Sequence, residues 1–307
     1  MFLYVLKRLA EMIPVLLVVV IATFFLAHAV PGGPFDKERP MPAEVKKQVE
    51  AYYGLDQPLY VQLGNYIGNL AHGSLGPSMK YPGWTVNQII GERIPVSVIL
   101  GSVSLLIAIL VGIPIGVIAA SRPNTWMDRV PMGLALLGIC VPSFVFGPLL
   151  ALVFSLQLGW FPPCGWGSVT HLVLPSLALG LITAAPLARL TRGELMEVYT
   201  LDYVRTARAK GVSPTRVRFV HALRNGILPV VTYLGPAAAA LVSGSFVVES
   251  LFDGPGVGRL FVTAIINRDV PVILGTTLLY AVALLCLNLV ADLAKAALDP
   301  RTARDRR

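Results

Sequence analysis

"IPVSVILGSVSLLIAILVGIPIGVIAAS", residues 94–121, is a stretch without a single Asp, Glu, Lys or Arg. A bilayer has a hydrocarbon core about 30 Å thick, which an α-helix crosses with roughly 20 apolar residues. The run at 130–188 is also uncharged; it is 59 residues long, so it must cross twice, and Gly and Pro residues within 159–170 mark the break. Further uncharged runs cover residues 12–35, 225–248 and 270–291. The sequence therefore predicts an all-α integral membrane protein with six transmembrane helices.

The composition of the 307-residue chain agrees with this prediction. Hydrophobic residues make up 55% of the chain and charged residues only 14%, which excludes an ordinary water-soluble domain. Lys and Arg beside transmembrane helices stay preferentially in the cytoplasm. We therefore assign to the cytoplasm the pieces that hold 17 of the 25 Lys and Arg residues: the N-terminus, residues 121–129, residues 189–224 and the tail from Lys295. Both termini are predicted to be cytoplasmic, and the net charge of +8 does not indicate a nucleic-acid partner.

Two segments precede the main bundle. Residues 1–30 are expected to form an uncleaved anchor helix, because their apolar run is longer than the roughly 7 to 15 residues of a signal-peptide core. Residues 31–93 are expected to form a small extracytoplasmic cap. Two short helices are predicted in the cap, bounded by Pro42 and Gly54 and by Pro58 and Gly73. These helices either cover the mouth of the bundle or dock an external partner, and the sequence leaves both interpretations open.

The interior of the predicted spans is almost free of charge. Charged side chains in a bilayer usually mark proton or ion pathways, and the middles of spans two to five contain none. A proton-coupled secondary transporter is therefore the less favoured class, and we expect the driving force to come from another subunit. The three cysteines, Cys140, Cys164 and Cys286, are widely spaced; we interpret them as packing residues rather than as disulfide partners or metal ligands.

One segment differs sharply from its surroundings: "YVRTARAKGVSPTRVRFVHALRN", residues 203–225, is rich in Lys and Arg and has no acid. Five of its charges at the bilayer centre would cost roughly 12 to 17 kcal/mol, so the segment does not cross. Helical spacing of Val204 and Ala207 leads up to a stop at Gly211. Ser213 and Pro214 then begin a second helix, with Val217 and Val220 predicted on one face. The pattern predicts two short helices hinged at a glycine.

Three functions fit such a segment. It could bind DNA, although its short tethers to the adjacent spans leave little reach. It could lie on anionic lipid as an interfacial element. It could also serve as a rigid lever that transmits the movement of a cytoplasmic partner to the transmembrane helices, which is the interpretation we favour.

Several motifs resemble those of permease subunits of bacterial ABC importers. The usual pattern in that family is Glu-Ala-Ala, three residues, Gly, nine residues and Ile-x-Leu-Pro. With Gly211 as the anchor, the triplet 205–207 takes the Glu-Ala-Ala positions, and the glutamate and the proline of the pattern are missing. This departure is similar to the peptide and nickel permease branch, and within it to the B subunit of oligopeptide permeases. The motifs are "RTARAKG" at 205–211, "HALRN" at 221–225, "LPV" at 228–230, "GSLGPSMKY" at 73–81, "ESLFDGPGVGRLF" at 249–261, "NRDVPV" at 267–272 and "DP" at 299–300.

The resemblance implies a type I (MetI-like) importer permease fold, in which the loop 200–225 fits a cleft of an ATP-binding partner. It implies that Ala207 is small so that the partner approaches closely and that Gly211 permits the turn. The residues expected to couple to the ATPase are Arg205, Thr206, Ala207, Lys210, Gly211, His221 and Leu223. An outer-loop motif between spans five and six comprises Glu249, Pro255, Gly256 and Gly258. Within it, Gly254, Pro255, Gly256 and Gly258 are expected to form a turn.

The implied partners are a second homologous permease, two cytoplasmic ATP-binding subunits, an extracytoplasmic peptide-binding protein and the lipid membrane. The chain has no G-x-x-x-x-G-K-[ST] motif, so it is expected not to be an enzyme: ATP and Mg²⁺ belong to the partner subunits, and no cofactor or metal is expected here. The implied function is oligopeptide import across the bacterial inner membrane, with dipeptide, nickel or glutathione import as alternatives. The domains are then the anchor 1–30, the cap 31–93, a five-helix core 94–300 that includes a cytoplasmic coupling loop at 191–224, and a tail 301–307.

Overall fold

The computed structural model describes residues 2–29, 35, 42–242 and 245–298. Its helices are α1 (Phe2–Ala29), α2 (Ala43–Tyr52), α3 (Leu59–Ala71), α4 (Val86–Ser121), α5 (Trp126–Cys140), α6 (Ser143–Leu150), α7 (Val169–Val198), α8 (Asp202–Ala209), α9 (Pro214–Arg216), α10 (Leu223–Val242), α11 (Phe246–Leu251), α12 (Val257–Asn267) and α13 (Val270–Leu298). Two π-helical segments, Ala151–Gln157 after α6 and Val217–Ala222 after α9, complete them. The described residues contain no β-strand, and their β-pairing consists of an isolated bridge between Pro77 and Thr85.

The number of membrane-crossing segments agrees with the sequence. Five helical segments of the described residues are long and apolar enough to span a bilayer, and the number rises to six if a bent pair counts as one span. That pair joins Trp126–Cys140 to Ser143–Gln157 at an angle of 111°. The predicted break at 159–170 is confirmed, because the pair ends at Gln157 and α7 begins at Val169. The all-α membrane fold is therefore confirmed.

The chain divides into two compact units, which we describe separately. The first comprises Met1–Val96 and Pro255–Ala283. Its apolar core is formed by α4, α12 and α13, through Val86, Ile89, Ile90, Leu260, Ala264 and Val272. The two short cap helices are also present here. They begin after Pro42 and Pro58, and positive φ angles at Gly54 (67°) and Gly73 (75°) follow their ends, as the sequence predicts.

The second unit comprises Ser97–Gly254 and Leu284–Arg307, and α7 lies at its centre. Two glycines one helical turn apart let α4 come close to α7. A Cβ on Gly112 would lie 2.8 Å from the Ala184 carbonyl oxygen, and one on Gly116 would lie 2.5 Å from the Cβ of Thr191. Small residues at this spacing permit close packing of transmembrane helices. The α4–α7 contact therefore depends on the "GIPIG" sequence at 112–116.

The cysteines do not have the role that the sequence suggested. Cys140, Cys164 and Cys286 are free thiols, and all three are exposed. The interpretation as packing residues is therefore wrong for this chain by itself. Spacing alone could not show it, because a side chain in an apolar helix faces either its own bundle or the surroundings of that bundle.

Candidate functional site

The cationic segment forms a bent element between α7 and α10, which we call the elbow (residues 202–225). Its first arm is α8, and Gly211, at φ 75°, turns the chain after it. The amide of Gly211 donates to the Arg208 carbonyl at 3.0 Å, and the amide of Val212 donates to the Ala207 carbonyl at 3.2 Å. These bonds satisfy carbonyls that would be unpaired at the helix end. The turn predicted at this glycine is confirmed.

The second arm differs from the prediction of a separate short helix. Pro214–Arg216 passes through the π-helical segment Val217–Ala222 directly into α10. Since a π-helix has more residues per turn than an α-helix, residues three apart no longer share a face. Val217 is accordingly buried, whereas Val220 is exposed. Ser213 occupies the N-cap position, but its side chain makes no capping hydrogen bond.

The buried face of the elbow fixes it to the ends of two long helices. Val204, Ala207, Val217 and Ala222 are buried, and they pack in one cluster. The other buried members of this cluster are Val117 and Ala120 of α4 and Leu195 and Val198 of α7. A displacement of the elbow must therefore be transmitted to α4 and α7, because close-packed interiors have few voids to absorb it.

Ala207 belongs to this buried face. Its side chain is 8% exposed and packs within the cluster, and the close approach of a partner at this position stays a prediction. The small side chain lets α8 pack tightly onto the cluster. The sequence could not distinguish the two roles, because both require a small residue at the same position.

The opposite face of the elbow presents cationic side chains to solvent. Arg205, Thr206, Lys210 and Gly211 are exposed. Arg205 forms an ion pair with Asp202 at 3.7 Å, but both side chains are largely exposed, so the pair contributes little. Arg208 lies over the ring of Tyr199, 5.4 Å from its centroid. The face is therefore suited to an acidic partner surface.

His221 and Leu223 lie on the second arm, apart from that cationic face. Both are partly buried. Leu223 packs against the buried cluster, and His221 accepts a hydrogen bond through its backbone carbonyl. These two predicted residues therefore position the elbow within its own chain.

A bridge between the two arms was missed by the sequence analysis. The hydroxyl of Tyr203 donates to the His221 carbonyl at 3.2 Å and accepts from the Asn225 amide at 2.8 Å. It thus joins α8 to the π-helical segment and to the start of α10. Tyr203 and Asn225 bound the cationic segment in the sequence, but no spacing rule indicates that they meet.

A buried ion pair between α5 and α7 was also missed. Nε and Nη2 of Arg192 donate to the two carboxylate oxygens of Asp128 at 2.5 and 2.7 Å. The backbone amide of Asn124 donates to the same carboxylate at 2.8 Å. Asp128 is almost completely buried. Its bidentate contact with Arg192 connects the beginning of α5 to the last part of α7, just before the elbow.

The outer-loop motif does not belong to the elbow. Glu249 lies beyond α10, whose 20 residues extend about 30 Å. Its carboxylate is buried and accepts from the Ser97 hydroxyl at 2.7 Å. Pro255 and Gly256 precede α12, as expected of a turn, but Gly258 lies inside that helix. The prediction that Gly258 forms part of the turn is therefore wrong.

Two other sequence motifs meet in the first unit. The buried carboxylate of Asp269 accepts hydrogen bonds from the Ser78 hydroxyl and from the backbone amides of Met79 and Lys80. The hydroxyl of Tyr53 donates to the Ser78 carbonyl at 3.0 Å. Burial, with smaller contributions from Tyr52 and Asp269, raises the pKa of the Tyr53 hydroxyl. "GPSMKY" and "NRDVPV" therefore form one clasp that fixes the loop before α4 to the start of α13.

No group of three or more His, Cys, Asp or Glu side chains able to hold a metal ion occurs among the described residues. The elbow is built from packing contacts and exposed charge. The "DP" motif at 299–300 and the tail 301–307 lie outside the described residues.

Comparisons with known proteins agree with this architecture. Residues 112–304 match the family described as binding-protein-dependent transport system inner membrane component. The chain is 41% identical to the oligopeptide transport system permease protein OppB of Haemophilus influenzae, over 97% of this chain and 98% of that protein. It is 44% identical to the dipeptide transport system permease protein DppB of Bacillus subtilis, over 97% of each chain. It is also 44% identical to the glutathione transport system permease protein GsiC of Salmonella choleraesuis, over 97% of each chain.

Solved structures show the same fold. An inward-facing methionine ABC transporter, MetNI, contains a chain that matches with a TM-score of 0.59 and 18% identity, covering 69% of this chain and 97% of that one. A chain of an amino acid ABC transporter matches with a TM-score of 0.54 and 15% identity, covering 69% of this chain and 94% of that one.

Proposed function

We propose, because the chain belongs to the binding-protein-dependent transport system inner membrane component family, that it is the permease subunit of an ATP-driven importer of oligopeptides. The oligopeptide assignment rests on its 41% identity to an oligopeptide permease over nearly the whole of both chains. A proton-coupled secondary transporter does not fit this family.

The observation on which the mechanism rests is the two-sided elbow. One face is buried against the ends of α4 and α7, and the other exposes Arg205 and Lys210. When a cytoplasmic ATP-binding subunit that binds the exposed face moves, the elbow and the long helices packed against it move as well. ATP binding then favours one of two permease conformations, because the ATPase pair closes in only one of them.

The proposed assembly contains a second homologous permease, two ATP-binding subunits and an extracytoplasmic peptide-binding protein. ATP and Mg²⁺ bind to the ATPase partners, and this chain provides neither nucleotide chemistry nor a cofactor site. We place both termini and the elbow in the cytoplasm of a bacterium, and the cap on the outer side of its inner membrane. The cap either covers the mouth of the pathway or receives the binding protein.

Charge reversal on the elbow tests the coupling. The double variant Arg205→Glu and Lys210→Glu keeps the buried face intact and repels an acidic partner surface. We expect the amount of ATPase subunit that co-purifies with the permease to fall by about tenfold or more, because two like-charge contacts would replace two attractive ones. Lys47→Glu, a reversal at an exposed cap lysine, is the matched control and leaves co-purification unchanged. Normal ATPase binding by the double variant would sink the proposal.

Import of shorter peptides is a second candidate, favoured by the 44% identity to a dipeptide and to a glutathione permease. Nickel import stays a prediction from the family resemblance alone. Uptake of labelled peptides of two to six residues, and of glutathione, by cells with and without this chain distinguishes these substrates. If the driving force is ATP, uptake continues after the proton gradient is collapsed and stops when ATP is depleted.

A further inference from the structure

Two cavities follow one another along α5 and α7, a basic mouth and an apolar wall, and we call them together the groove. The mouth is a cavity of about 330 Å³ lined by Asn124, Asp128, Arg129, Met132, Arg189 and Arg192. Arg192 is paired with Asp128, so these two charges offset each other. Within the described part of the chain, Arg129 and Arg189 form no ion pair, and both are exposed. The lining holds three arginines and one aspartate, which Arg129 also attracts, so the mouth carries a net charge of +2.

The apolar wall follows the same faces of the two helices. A second cavity, of about 520 Å³, is lined by apolar residues of α4 to α7 that include Pro131, Leu134, Gly138, Ala185 and Ala188. On α5, positions 128, 131, 135 and 138 share one face, and on α7 positions 185, 188 and 192 do so. The eleven residues from 128 to 138 extend about 15 Å, which is half of the hydrocarbon thickness.

A third observation places the mouth at the boundary between membrane and water. Trp126, in the first turn of α5, is 70% exposed, and Trp is typical of that boundary. Leu134 and Leu137, further along the same helix, are more than 60% exposed and apolar. The groove therefore begins at headgroup level and descends into the hydrocarbon layer.

We propose that this groove binds one acidic phospholipid, with its phosphate at Arg129 and Arg189 and one acyl chain along the apolar wall. The charge of the mouth selects an anionic headgroup, and the apolar wall selects a lipid over a free phosphate. Because the Asp128–Arg192 pair lies next to the headgroup position, the bound lipid stabilises the junction between α5 and α7 just before the elbow.

Lipid retention by the purified transporter complex provides the first test. Native mass spectrometry compares bound phosphatidylglycerol with phosphatidylcholine for the unmodified chain and for Arg129→Gln with Arg189→Gln. Each arginine contributes roughly fivefold to anionic-lipid affinity, so the double variant is expected to lose about 25-fold for phosphatidylglycerol. Arg122→Gln, an exposed arginine outside the cavity, is the control and retains the lipid. Equal retention by the double variant and the control overturns the proposal, as does displacement of phosphatidylglycerol by inorganic phosphate.

Photo-cross-linking of the unmodified chain gives a test that does not depend on a folded variant. Phosphatidylglycerol with a diazirine in its acyl chain is expected to label residues 131–138 and 181–188 of the assembled complex. The phosphatidylcholine analogue is expected to label them at least fivefold less. Equal labelling by both lipids overturns the proposal. Loss of labelling in the assembled complex, with labelling of the isolated chain, shows that another subunit covers the groove and overturns it as well.

Discussion

At the scale of single residues, Asp128 shows how one buried carboxylate joins two transmembrane helices. Its side chain is 3% exposed, whereas that of Arg192 is 28% exposed. Removing one partner of a fully buried pair costs about 3–5 kcal/mol. Since Arg192 partly reaches solvent, we expect Asp128→Asn to lower the free energy of unfolding by roughly 2 kcal/mol. The free energy of unfolding is measured in detergent for Asp128→Asn, for Arg192→Gln and for the double variant. Single effects that add to within about 0.5 kcal/mol would show that the pair is not coupled.

A substitution at Gly211 tests the effect of backbone conformation without the added effect of a steric clash. Nothing lies within 4 Å of a Cβ added there, but its φ of 75° disfavours residues with a side chain. We expect Gly211→Val to strain the turn by about 1–2 kcal/mol and to reduce peptide uptake several-fold. Asn tolerates this conformation, so Gly211→Asn should transport nearly normally.

Gly193 of α7 supplies the control for this prediction. It also has open space around its Cβ position, but it lies in regular helix, so Gly193→Val should be tolerated. Uptake is compared at equal amounts of permease in the membrane. Normal uptake by Gly211→Val, or equal loss in Gly193→Val, would show that the turn conformation is not what transport requires.

These residues also show what a sequence can predict at this scale. Gly211 was identifiable because a glycine after a helical pattern indicates a left-handed stop. The burial of Ala207 was not, because a small side chain fits a buried face and a partner contact equally well. The Tyr203 and Asp128 contacts were not identifiable either, since they join positions whose distance in space depends on how three helices pack.

At the scale of elements, the two arms of the elbow are held together by the Tyr203 hydroxyl. Tyr203→Phe removes two hydrogen bonds and keeps the ring. Exposed bonds of this kind contribute about 0.5 kcal/mol each, so we expect amide hydrogen exchange across residues 203–212 to accelerate roughly fivefold. Global stability should change little.

Tyr199→Phe is the matched control for the bridge. The Tyr199 hydroxyl is buried and has no hydrogen-bond partner within the described residues, and the ring that stacks with Arg208 is kept. Its removal should not accelerate exchange. If both variants exchange alike, the bridge does not hold the arms.

Element boundaries were predicted where the chain itself contains the signal. The break near residues 159–170 and the ends of the cap helices follow from Gly and Pro. The 111° bend within the third span has a local cause as well. Val141 is extended at φ −84° and ψ 118°, as a residue before proline prefers, and Pro142 has no amide to continue the helix. The π-helical continuation of the elbow into α10 has no such signal in the sequence.

At the scale of the whole molecule, the long uncharged runs were sufficient to predict the class and the number of spans. Every span must be a helix of mainly apolar residues that pairs its own backbone groups, so composition identifies the spans without knowledge of how they pack. How the helices pack is a different problem. The contact at Gly112 and Gly116 depends on which faces of α4 and α7 meet, which a single sequence does not specify.

The orientation of the whole chain is open to a direct test with its own cysteines. Cys164 lies in the loop before α7 and the elbow follows α7, whose 30 residues extend about 45 Å. We therefore expect the two positions to lie on opposite sides of the membrane. We expect a membrane-impermeant maleimide to label Cys164 in intact spheroplasts, and Cys164→Ser to abolish that labelling. Cys140 and Cys286 lie in apolar helices, whose hydrocarbon surroundings a membrane-impermeant reagent does not enter, so they should contribute little.

The elbow itself is reported by Ala209→Cys in the Cys164→Ser background. Ala209 is exposed at the end of α8, and the new thiol should react only after the spheroplasts are lysed. Labelling of Ala209→Cys in intact spheroplasts would place the elbow outside the cell, where no ATP-binding subunit can reach it. In that case the positive-inside assignment and the proposed coupling would fail together, because both require the cationic face to meet the cytoplasm.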